Sequence, residues 1–71
     1  MFLVMEIQRN GETVNNIVDS YTDENQAKSK YHLILASAAV STVERHSAVI
    51  IDDTGRPINY EWFDHDAIVI E

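Results

Sequence analysis

DENQAKSKYHLILASAAVSTV, residues 23–43, is the stretch whose reading decides the fold. Asp23 suits an N-cap, with Gln26 three residues on as the reciprocal arm of a capping-box-like pair. The acids Asp23 and Glu24 also suit the positive end of a helix dipole. Within the run, Ala27, Tyr31, Ile34, Leu35 and Ala38 recur at i, i+4, i+7, i+8 and i+11, which places them on one stripe meant for a core. A helix from Asp23 to about Val43 is therefore predicted, its end poorly marked because no glycine follows. A second series, Ser29, Leu33, Ala36 and Val40, lies nearly opposite the first. A one-sided surface helix would be polar there. The small residues permit close approach, so this stripe is the candidate dimer or partner interface, set against the plain alternative of scattered exposed apolar side chains.

Outward from the helix, the flanks read as two hairpins. Phe2–Arg9 alternates in the strand period, and Asn10-Gly11 is a strong hairpin signal because a type I′ turn needs positive φ at both central positions. Thr13–Tyr21 is the return strand. A two-residue Asn10-Gly11 loop sets Arg9 opposite Glu12 and puts the pairs Ile7/Val14, Met5/Asn16 and Leu3/Val18 on one face. Phe2, Val4, Glu6, Asn15, Ile17 and Tyr21 fall on the other. Both faces are partly apolar, and one helix covers only one of them. After the helix, His46–Asp52 is a third strand, apolar enough at Ala48-Val49-Ile50-Ile51 to be central. Asp53-Thr54-Gly55 fits a three-residue loop with Gly55 in the left-handed region. Pro57 opens a fourth strand, and its missing N–H favours a sheet edge. Residues 64–71 are a tail or, from Ala67-Ile68-Val69-Ile70, a short fifth strand. The predicted class is α+β, ordered β-β-α-β-β, an antiparallel sheet with one helix across one face.

Composition bounds the function. At 71 residues there is room for a single domain and one core, and a domain of this size buries only about 60% of the surface its unfolded chain exposes. Cysteine is absent, which removes disulfides and thiolate metal sites and leaves oligomerisation as the remaining supplement. Five apolar residues at the N-terminus, Met1–Met5, lack the length and flanks of a signal peptide or membrane span, so a cytoplasmic protein without membrane association is expected. The net charge of −7 is concentrated late in the chain, where Asp52, Asp53, Glu61, Asp64, Asp66 and Glu71 face Arg56 alone after residue 45. Such a chain repels nucleic-acid phosphates. The acidic patch Asp52, Asp53, Glu61, Asp64 and Asp66 suits solubility or a basic partner.

Candidate chemistry is sparse. Asp53-Thr54-Gly55 matches the triplet that retroviral-type aspartic proteases present from each half of a dimer, but the match stops at three residues, and a hairpin turn wants the same residues for conformational reasons. Glu61, Asp64, His65 and Asp66 could offer oxygen and nitrogen donors, yet they lack the spacing and glycine of a calcium loop, so a solvated acidic strand end is the simpler reading. His32 and His46 have no metal-ligand spacing, and no serine has a nucleophile-elbow context. No enzyme, metal or cofactor is expected.

Val4-Met5-Glu6-Ile7-Gln8, the Asn10–Val14 hairpin, the helix from Ala27 to Val40 and His46–Ile50 together resemble a group of short, uncharacterised proteins from phages and prophages of Gram-positive bacteria. The resemblance spans most of residues 4–58 and carries no catalytic residue. It implies a setting in which small acidic proteins act by binding a host protein, including as inhibitors of nucleic-acid-targeting defence. The expected function is a dimeric protein-interaction module with a host or phage protein as partner. The alternatives are a nucleic-acid mimic that fills a basic groove with its C-terminal carboxylates, and a structural accessory protein without inhibitory role.

Overall fold

A computed structural model describes residues 1–65. The elements run β1 (Phe2–Asn10), β2 (Thr13–Tyr21), α1 (Glu24–Ala39), β3 (Arg45–Asp52) and β4 (Pro57–Asp64). The strands form one antiparallel sheet in the order β2-β1-β3-β4, and α1 lies across one face. β1 is antiparallel to both β2 and β3, so β2 and β3 run parallel with β1 between them. A parallel pair cannot be joined by a tight turn. The helix is the crossover that carries the chain over β1.

The β-β-α-β-β order and the helix-on-sheet architecture are as the sequence predicts, with Pro57 opening an edge strand and β3 inside the sheet. The helix buries Ala27, Tyr31, Ile34, Leu35 and Ala38, the whole predicted stripe and no other helical residue. Ala27, Tyr31, Ile34 and Leu35 cluster with Val4 from β1 and with Ala48 and Ile50 from β3, with Phe2, Tyr21 and Phe63 at the margin. Asp23 caps the helix by accepting the Asn25 N–H at 3.0 Å, and its carbonyl accepts from Ala27 at 3.1 Å.

Two local expectations are corrected. The β1–β2 turn is Gly11-Glu12, closed by the pair Asn10/Thr13. Positive φ occurs at Gly11 and, among the described residues, at no non-glycine position. A type I′ turn at Asn10-Gly11 would force Asn10 into that region, whereas a type II′ turn needs it only at a first-position glycine. The pairing therefore slips by two residues: Ile7 faces Asn16, Met5 faces Val18 and Leu3 faces Ser20. A slip of two preserves which side chains share a face. The second correction is the helix end, which falls at Ala39 with Val40 as C-cap rather than near Val43. The reason is tertiary. The His65 ring nitrogen Nε2 lies 2.8 Å from the Ala38 carbonyl oxygen, which also accepts from Ser41 N–H at 3.3 Å. An imidazole donor from the end of β4 thus supplies what a C-terminal glycine motif would otherwise provide.

The β3–β4 loop matches its prediction. Asp52 accepts from Gly55 N–H at 3.1 Å through its carbonyl, and Gly55 sits at φ +87°. The Asp52 carboxylate accepts the Thr54 hydroxyl at 2.6 Å and the N–H groups of Thr54 and Arg56 at 2.9 and 3.0 Å. The register then shifts around Ile58. The expected fifth strand at 67–70 lies outside the described residues.

Candidate functional site

The sheet has two unlike faces, and register decides what each carries. On the helix side, Val4, Ile50 and Ala48 are buried while acids occupy the surrounding positions: Glu6, Asp19, Asp52 and Glu61 all alternate onto this face. On the opposite side no element is packed among the described residues. Its cross-strand rows read Val18-Met5-Val49-Tyr60, then Asn16-Ile7-Ser47-Trp62, then Ser20-Leu3-Ile51-Pro57, with Val14-Arg9-Arg45-Asp64 at one end. Tyr60 and Trp62 stack with ring planes 4° apart and centroids at 6.2 Å, and Trp62 is 50% exposed. A shallow apolar trough runs between them and Ile7, Val49 and Pro57.

Charge is sorted between the faces as well. Asp64 is the one acid whose strand position alternates onto the open face, and Arg45 neutralises it through a two-point contact of 2.7 and 3.1 Å. That contact holds the Asp64 carboxyl below its usual range, with a further fall from the charges of Arg9 and His65, and raises Arg45. A chain of net charge −7 thus presents a largely apolar sheet surface whose one acid among the described residues is paired, with Arg9 in the same row. Strand alternation predicts that one partly apolar face is left over. The pairing of its one acid depends on Arg45, nineteen residues away from Asp64, and so is not legible in the sequence.

The predicted stripe on the helix is exposed. Ser29, Leu33 and Ala36 point away from the sheet, with Leu33 63% exposed, while Val40 leaves the helix as its cap and is 84% exposed. These residues are separate from the open sheet face. The acidic patch does not come together at one place. Asp52 and Asp53 sit at the β3–β4 turn, Asp64 at the far end of β4, roughly 20 Å along the strand, and Glu61 on the helix side. Asp66 lies outside the described residues. Asp52 is committed to its turn, where the hydroxyl and backbone donors of Thr54 and Arg56 hold its pKa down, and Asp53 approaches the N-terminal ammonium at 3.7 Å. Among the described residues no three carboxylate or imidazole side chains are grouped to hold a metal ion, and no helix is long and apolar enough to cross a membrane.

One polar group inside the fold escaped the sequence reading. His46 is buried on the helix side, its Nε2 2.5 Å from the Glu6 carboxylate, which also accepts from Gln8 at 3.1 Å. Burial raises the Glu6 pKa, but the bonds from His46 and Gln8 and the charges of His46 and Lys30 outweigh it and leave the carboxyl below its ordinary value. His46 Nδ1 and the Tyr31 hydroxyl are buried without a partner among the described residues.

Comparison of the chain with protein-family models, with curated proteins and with solved structures found no match.

Proposed function

We propose that this chain is a small, non-catalytic protein-interaction module of the phage and prophage type, which acts by binding, and thereby restraining, a host protein such as a nucleic-acid-targeting defence factor. The observation that carries the reading is the uncovered apolar sheet face with its stacked Tyr60 and Trp62. Contiguous apolar patches on monomers rarely exceed a few hundred Å2, and larger ones mark places where another molecule sits. Four strands spaced at about 4.8 Å and some eight residues long at about 3.3 Å each give this face a flat area of roughly 500 Å2, before the relief of its side chains is counted. Aromatic residues flanked by aliphatic ones are also the composition of binding hot spots. The resemblance to short phage and prophage proteins supplies the setting.

The test is capture on the immobilised chain from lysate of a Gram-positive host, with the bound species identified by mass spectrometry. Retention of a defined protein is expected, lost with Tyr60→Arg on the sheet or with Leu33→Arg and Val40→Arg on the helix. Retention that survives all three and disappears when Asp52, Asp53, Asp64 and Asp66 are changed to Asn overturns the reading in favour of nucleic-acid mimicry. Retention of nothing removes the interaction reading.

A further inference from the structure

We infer that the open sheet face is covered by a second copy of this chain, forming a face-to-face two-fold dimer with four sheet strands on each side. The inference rests on the interaction reading above and names the occupant of that surface. Three observations select a second copy. The first is charge. Among the described residues the face carries one acid, Asp64, paired with Arg45 and with Arg9 in the same row, whereas the helix side of the same strands carries four acids. A basic partner would find nothing to pair with here, and a strongly charged partner would have to strip water from its ions against apolar side chains. The best match is another largely apolar sheet face with its charges confined to one end row, which a second copy supplies by definition. Isologous pairing also keeps the acidic surfaces of the two copies on the outside, turned away from each other.

The second is area. A flat patch of roughly 500 Å2 per copy, enlarged by side-chain relief, approaches the roughly 800 Å2 per partner of a standard stable interface. The third is the layer count. Ile50, Val4 and Ala48 are buried beneath the helix, while Met5, Ile7, Val49 and Ile51 on the reverse of the same two central strands are only half-buried. Packing two such faces about 10 Å apart encloses both central strands on both sides, as in a sheet sandwich. Leu33 and Val40 then remain outside on each copy, free for a different protein.

Trp62 is the sole tryptophan and lies within this face, so its fluorescence reads the contact directly. Sedimentation equilibrium and tryptophan emission are followed from about 1 to about 200 micromolar, the span over which association of modest strength is seen. Mass is expected to rise from 8.1 kDa to twice that value, with a blue shift of emission over the same concentrations. Tyr60→Arg, an exposed edge-strand change that keeps the tryptophan, is expected to abolish both, while circular dichroism stays that of the folded chain. Met5→Lys, on the central strand, provides a second, independent disruption. Leu33→Arg with Val40→Arg is expected to leave both signals unchanged. An 8.1 kDa species throughout, or a dimer broken by the helix variants and not by Tyr60→Arg, overturns the inference. The two readings separate cleanly. A monomer whose retention of a host protein is lost with Tyr60→Arg defeats the dimer and keeps the interaction module. A dimer that retains nothing keeps the sheet pairing and defeats host binding.

Discussion

Tyr31→Phe is expected to stabilise this protein. The ring of Tyr31 is 2% exposed, between the helix and the sheet, and its hydroxyl is buried without a hydrogen-bond partner among the described residues. An unmet buried polar group costs about 1–3 kcal/mol. Phenylalanine keeps the ring, its packing and nearly all of its apolar area, so the balance should favour the variant by about 1–2 kcal/mol. For a chain of this length that is a rise in Tm of about 4–8 °C per kcal/mol. A second signature comes from titration. Burial raises the Tyr31 pKa, and the charge of Glu61 raises it further. Above the ordinary tyrosine value of about 10 the unfolded chain therefore binds fewer protons than the folded one at this site, and stability falls as pH rises. The full contribution is present below that pH and is lost above it, and Tyr31→Phe removes this loss. Urea unfolding of both proteins at pH 7 and again above pH 10 measures the two effects, with the gap between them widening at the higher pH. A variant less stable than the parent at pH 7 would refute the reasoning, because it would mean that the hydroxyl makes a net favourable contact.

Glu6 supplies a prediction of opposite pH sense. Its pKa is held below an ordinary 4.5, so its contribution is present above that pH and is lost as pH falls through the lower folded value. In acid titrations followed by circular dichroism, Glu6→Gln should flatten the fall in stability below about pH 4.5 relative to the parent. Ile50→Ala opens a cavity at the centre of the covered face, where Ile50 is 1% exposed. The expected cost of about 2–5 kcal/mol is a large part of the roughly 4–11 kcal/mol ordinary for 71 residues, so denaturant midpoints should drop sharply or the cooperative transition should vanish. Asp23→Ala removes the carboxylate that accepts the Asn25 N–H and should cost about 1 kcal/mol, measurable by the same unfolding curves.

Features that depend on residues near one another along the chain are legible in the sequence. The helical period of Ala27, Tyr31, Ile34, Leu35 and Ala38 named every buried position of α1, because a stripe at that spacing has one energetic use, which is to leave water. Asp53-Thr54-Gly55 named its loop, because the preceding Asp52 carboxylate and the loop's glycine satisfy the backbone locally. Strand alternation named the two faces of β1 and β2 correctly even though the pairing was misplaced, since a slip of two residues leaves side-chain parity intact. Relations between distant residues emerge only in the folded chain, because local sequence carries no record of them. Both Asn10-Gly11 and Gly11-Glu12 are reasonable turns. The preferred one emerges with the whole sheet, where Asn10 also accepts the Glu44 N–H and the Glu44 carboxylate accepts that of Gly11. The helix end waits for His65, and the paired acid of the open face waits for Arg45 to meet Asp64. The sequence analysis placed the candidate interface on Ser29, Leu33, Ala36 and Val40. The larger uncovered surface is assembled from four strands, each contributing two or three apolar side chains. No single segment displays that surface, because a sheet face exists only once its strands are side by side.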